Sequence, residues 1–147
     1  MPGQCRHRGL HFQYPDNWAL ETADARDGCD SIGVQSPGGA FWTVSRHPSS
    51  ADPHRLASAA LEAMQEEYET VESYETHENI AGHETVGYDI NFYCLDLTNT
   101  AKVRCLRVGR ASYTLFFQAE DREFAAVEPV FRAISFSLLT GLNDEDS

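Results

Sequence analysis

Apolar and polar residues alternate with a period of two along most of the chain, and in two places the period lengthens to that of a helix. Leu10-His-Phe-Gln-Tyr14 reads as a short strand stopped by Pro15-Asp-Asn17, whose residues favour turns. Trp18–Thr22 forms a second short strand, and Arg26-Asp-Gly28 a turn. Ser31–Gln35 and Ala40–His47 make a hairpin around Ser36-Pro-Gly-Gly39, where Pro followed by Gly suits a type II turn. Asp52-Pro53 then starts a helix, because the carboxylate caps free amides and the proline has its φ preset and no amide to satisfy. Leu56, Ala60, Met64 and Tyr68 recur at every fourth position, so the helix buries that stripe and ends near Tyr68.

Beyond it, Thr70–Thr76 is rich in β-branched and aromatic residues and predicts a strand. Val86, Tyr88, Ile90, Phe92 and Cys94 alternate cleanly from a turn at Gly82. Thr98-Asn-Thr100 predicts the next turn, followed by a strand over Lys102–Val108. Gly109-Arg110 fits a two-residue hairpin loop leading into Ala111–Ala119. Asp121 caps a second helix with the stripe Phe124, Val127, Phe131, Ile134 and Leu138, and Pro129 should kink it or mark its first turn.

The expected class is therefore α+β, a mostly antiparallel sheet of about six strands flanked by helices in an α/β/α sandwich. Residues 1–9 are expected to be a flexible N-terminus, 10–140 a single domain and 141–147 an acidic tail. With these turns, Tyr93 falls beside Cys105 and Thr114, and Leu95, Val103 and Phe116 form the next row on the same face. Ile90, Phe92, Leu106, Val108, Tyr113, Leu115 and Phe117 fall on the other, and Asp96 opposes Lys102. Both faces are apolar. Either each carries a helix, or both helices cover the richer face, or cover the second only partly, and leave an apolar groove.

Composition narrows the functions. The chain has 147 residues and a net charge of −12, which disfavours nucleic acid and anionic membranes because phosphate contacts need clustered cations. No apolar run reaches the length of a membrane span, and no leader is evident, so the expected location is cytoplasmic. Nine carboxylates and no Lys or Arg lie between Glu62 and Asp89, with Lys102, Arg104, Arg107 and Arg110 following. That run is either a solvated face or a docking surface for a basic partner. The cysteines, Cys5, Cys29, Cys94 and Cys105, contain no CxxC pair and are expected to be reduced, although two disulfides would suit an exported chain.

Signatures of chemistry are missing. Cys5, His7 and His11 fall within a short span, and His77 and His83 flank a turn, but neither group has the ligand spacing of a zinc site. The chain has no nucleophile elbow, no S-x-x-K and no glycine-rich phosphate loop. No metal, cofactor or catalytic residue is expected.

A family resemblance covers Leu10 to Leu138. Phe12-Gln-Tyr-Pro-Asp-Asn-Trp18 is similar to the opening F-x-x-P-x-x-W of the superfamily that contains PsbP, the Ran-binding import factor and bacterial DcrB-like domains. The helix from Asp52, Ile80–Tyr88 leading into long strands, Ala111–Phe117 and the closing Phe131-Arg-Ala-Ile-Ser-Phe136 resemble the same pattern. The resemblance implies the fold and a non-enzymatic role as a small binding or assembly factor, in some relatives an adaptor or chaperone.

The expected function is thus a protein-binding module that uses Tyr93, Leu95, Val103, Cys105 and Phe116 as contacts. A small-ligand or metal-binding domain built on the histidines is the alternative, and an enzyme with an unrecognised site the third. A dimer through an edge strand or the apolar face is compatible with the pattern.

Overall fold

The computed structural model describes residues 2–7, 9–26, 29–47 and 51–145. Among them lie strands β1 (Gly3–His7), β2 (Leu10–Tyr14), β3 (Ala19–Arg26), β4 (Cys29–Gln35) and β5 (Phe41–His47). Helix α1 (Pro53–Glu67), strands β6 (Val71–Ile80), β7 (His83–Cys94), β8 (Leu97–Val108) and β9 (Ala111–Glu120), and helix α2 (Asp121–Glu145) complete it. Seven strands form one open sheet in the order β3-β4-β5-β9-β8-β7-β6, antiparallel throughout. The class is the expected α+β sandwich, with one strand more in the main sheet and a separate two-stranded ribbon, β1-β2.

Local signals placed most elements. Asp52 caps α1, its Oδ1 accepting from the amide of His54 at 3.1 Å, and Pro53 opens the first turn. Gly109 turns the β8–β9 hairpin at φ 62°, so Val108 faces Ala111. The Ser36–Gly39 turn closes as expected, but its left-handed residue is Gly39 (φ 101°), not Gly38 as type II requires. Arg26-Asp-Gly28 falls in part outside the described residues. For α2 the capping carboxylate is Glu120, which accepts from the amides of Arg122 and Glu123, while Asp121 binds the hydroxyl of Thr100 at 2.7 Å.

Three expectations change. The N-terminus, expected to be flexible, is strand β1, held because Cys5 (3% exposed) packs in the core opposite Phe12. Helix α2 runs through Gly141 into the acidic tail as far as Glu145, because Leu138, Leu139 and Leu142 carry its buried stripe past Leu138. Its stretch Asp121–Leu142 is long and apolar enough to cross a membrane by length and composition, which the run-length reading overlooked. Here its apolar stripe is buried against the sheet and β2.

The third change is register. The β7–β8 hairpin turns at Leu95-Asp96, not at Thr98-Asn-Thr100, so Cys94 pairs with Leu97 and Val86 with Cys105. The predicted β8–β9 register holds, with Cys105 beside Thr114 and Val103 beside Phe116. The parity of β7 is reversed, which moves every one of its side chains to the opposite face. Ile90 and Phe92 therefore join Val103, Cys105 and Phe116 beneath α1. Asp96 sits in the turn, and Lys102 instead approaches Glu128 (3.9 Å) and the ring of Phe124 (5.6 Å).

The two helices are staggered. α1 packs on β7, β8 and β9, and more lightly on β6, burying Ala57 and Met64 against Ile90, Phe92, Ala101, Val103 and Cys105. On the opposite face α2 and the β1-β2 ribbon cover Ile32, Val34, Trp42, Val44, Leu115 and Phe117. Each layer covers chiefly one wing of the sheet; the two overlap over β8 and β9, and α2 also reaches the Ile80 end of β6. One quadrant of each face stays open.

Candidate functional site

The first open quadrant is the α2-side face of β6 and β7 at the end nearest the β7–β8 hairpin; at the other end Thr85 is fully buried and Ile80 packs against the α2-side core. Period-two alternation puts Glu72, Tyr74 and Glu78 of β6 beside Asn91, Asp89 and Thr85 of β7 on that face. Tyr74 and Tyr93 are each 58% exposed, and the hairpin tip carries Leu95 at 92%. A shallow cavity of about 160 Å³ opens between Glu72, Asn91, Tyr93 and Asp121. On the same face, farther along β8 and opposite Gly87, Arg104 is buried. Its Nε donates to Glu78 at 2.8 Å and its Nη2 to Asp89 at 2.7 Å, while Nη1 donates to the carbonyls of Val103 and Tyr88.

Burying a guanidinium is costly unless it is paired, and here both carboxylates and two carbonyls compensate it. Gly87 lies across from Arg104, and a Cβ there would sit 1.7 Å from the carbonyl oxygen of Val103. Both cations of this face, Arg104 and Lys102, are thus engaged by carboxylates of the protein. The remaining potential is negative.

The hairpin tip is strained. Leu95 and Asp96 have φ of 53° and 64°, the left-handed pair that a type I′ turn requires and that Asn-Gly supplies at lower cost.

The second open quadrant is the α1-side face of β3, β4 and β5. A cavity of about 350 Å³ lies there, lined by Glu21, Ser31, Gly33, Gln35, Phe41 and Thr43 among others. Gly33 makes its floor low, and Thr43 Cγ2 stands 2.7 Å from where a Cβ would be. Phe41 stacks on Phe116 with centroids 5.9 Å apart and planes 25° apart. Behind them a row of small polar groups crosses the sheet. Ser31 and Ser45 hydroxyls lie 2.7 Å apart, and Thr114 Oγ1 lies 3.3 Å from His47 Nε2 and 3.6 Å from Cys105 Sγ. Burial pushes the Cys105 thiol up to about 11, only partly opposed by Thr114 and Arg104, and it pushes His47 down. A protonated, fully buried thiol is no nucleophile, so the Cys-Thr-His trio is not a catalytic arrangement.

The five contact residues expected from sequence do not form one surface. Val103 and Cys105 are fully buried under α1, and Phe116 is half-buried against Phe41. Tyr93 and Leu95 are exposed at the β7–β8 hairpin, on the first open quadrant. The sequence reading missed Tyr74, whose exposure follows from the true parity of β6 and β7.

The histidines are dispersed. His54 and His77 approach with ring centroids 6.3 Å apart, and among the described residues no three potential ligands gather to hold a metal ion. Cys5, Cys94 and Cys105 are free thiols.

No family model matches the chain, and no curated protein matches it in sequence. Solved structures do match. Cyanobacterial PsbP from Synechocystis superposes with a TM-score of 0.63 at 14% identity, over 92% of this chain and 90% of that one. The Ran-binding protein Mog1p of Saccharomyces cerevisiae gives 0.54 at 11% identity, over 98% and 93%. A Pseudomonas aeruginosa protein of unknown function gives 0.55 at 16% identity, over 93% and 95%. The fold is PsbP/Mog1-like. At these identities the likeness is one of architecture, and the site must be argued from its own residues.

Proposed function

We propose that the protein is a non-enzymatic binding module whose partner is another protein, held by a Lys- or Arg-bearing segment on the open β6–β7 face. The observation that carries this reading is the pairing of exposed tyrosines with carboxylates on one uncovered sheet quadrant: Tyr74 and Tyr93 beside Glu72 and Asp89. A cation of the partner would lie over a tyrosine ring and hydrogen-bond a neighbouring carboxylate, two interactions that reinforce one another. The outer carboxylates of α1, Glu62 and Glu66, extend the negative field and would speed encounter rather than set specificity. The likeness of this architecture to a Ran-binding protein supports a binding role.

A photo-crosslinking residue at Asn91, in the tagged chain within host extract, tests the reading. One discrete adduct is expected, lost in Tyr74→Ser/Tyr93→Ser and retained in the equally folded Glu62→Gln/Glu66→Gln. Adducts that are absent, or that respond equally to both double variants, would remove the β6–β7 face from consideration.

A further inference from the structure

We propose that the cavity over Gly33 is a second, independent site that takes a small molecule of the arylalkylamine class, an aromatic ring joined by a short chain to a cationic ammonium. The site lies on the opposite face from the protein-binding quadrant and on the other wing of the sheet.

Its size comes first. A volume of about 350 Å³ is at the lower end of ligand pockets, enough for one ring and a chain of a few carbons and too small for a drug-sized ligand. The depression exists because Gly33 has no side chain where its neighbours in the row, Glu21 and Thr43, do. The ring has a partner in Phe41, already offset against Phe116, whose open side can extend the stack.

Charge then selects the other end. Glu21 alone is charged among the described residues lining the cavity, and none of those residues donates to it. Around it the lining is apolar apart from Ser31, Gln35 and threonine hydroxyls, so an anion would meet repulsion and a cation would find an acceptor. Glu21 is in β3 and Phe41 in β5, two strands apart, so their backbones are separated by about 10 Å across the sheet. A chain of about four carbons between ring and ammonium spans what the two side chains leave.

The test titrates 4-phenylbutylamine into the isotope-labelled full chain and follows backbone amides by NMR, with 4-phenylbutyrate as the probe of equal shape and opposite charge. Saturable shifts are expected at Glu21, Gly33, Phe41 and Thr43. Glu21→Gln should weaken them about three- to fivefold, the worth of a solvent-screened ion pair. Thr43→Trp, which fills the cavity from its open side, should abolish them, with its melting curve checked against the parent. Equal binding of the butyrate, an unchanged affinity in Glu21→Gln, or shifts confined to Tyr74, Asn91 and Tyr93 would each overturn the assignment. The last result would leave the β6–β7 reading standing, so the two sites fail separately.

Discussion

The indole N–H of Trp42 donates to the hydroxyl of Ser135 at 2.9 Å, and that hydroxyl donates in turn to the carbonyl of Phe131 at 2.8 Å. Both residues are buried, so this bond joins a central strand to α2 inside the core. In Ser135→Ala the indole is left without an acceptor in an apolar setting, and stability should fall by about 1–2 kcal/mol. Urea denaturation is the measurement. The midpoint should drop with the slope unchanged, because the folded surface is the same.

The strained β7–β8 tip gives a prediction of opposite sign. Replacing Leu95-Asp96 by Asn-Gly (Leu95→Asn/Asp96→Gly) supplies residues that tolerate positive φ, and should raise stability by about 1 kcal/mol. If Leu95 also touches the partner, the same variant gains melting temperature while losing crosslinking yield. A variant no more stable than the parent would show that the tip stores no strain.

Cys105 should be silent towards a thiol reagent at pH 8, since burial raises its pKa to about 11 and no solvent reaches it. Peptide mapping after brief labelling should find it modified only when denaturant is present, whereas Cys94, partly accessible, reacts in the folded chain. Modification of Cys105 in buffer alone would mean that α1 lifts from the sheet on that timescale.

His47 sets a pH dependence. Burial lowers its folded pKa below the ordinary 6.5, so between those two values the unfolded chain binds a proton that the folded chain refuses. Stability from this group is present above pH 6.5 and is lost as pH falls through the folded value. Melting temperatures recorded from pH 7.5 down to 5 should decline less steeply in His47→Gln than in the parent.

How far these features were legible depended on whether a turn announced itself. Asp52-Pro53 and Gly109 carry their conformations in their chemistry, and α1 and the β8–β9 register followed from them. Leu95-Asp96 carries no such mark, while Thr98-Asn-Thr100 mimics a turn, so the strand β7 was placed on the wrong face. The candidate site suffered accordingly: two of the five expected contacts, Tyr93 and Leu95, stand exposed, and Val103 and Cys105 are core. The acidic run Glu62–Asp89 was visible, but not its division between the outer side of α1 and the β6–β7 face. Which side of a sheet a helix covers is set by packing between distant elements, and no local pattern records it.

Staggered helices also grade the sheet from middle to margin. Strands β8 and β9 have packed side chains above and below, whereas β6 meets the helices only lightly and β3 adds no side chain to either buried cluster among the described residues. Such a sheet opens like a book from its outer pages. Amide protons near Leu20 and Tyr74 would exchange with solvent through small, frequent fraying, and those near Leu115 only when the whole molecule comes apart. Both open quadrants lie on the wings, so a ligand seated on either would slow exchange where it is fastest and leave the centre as it was.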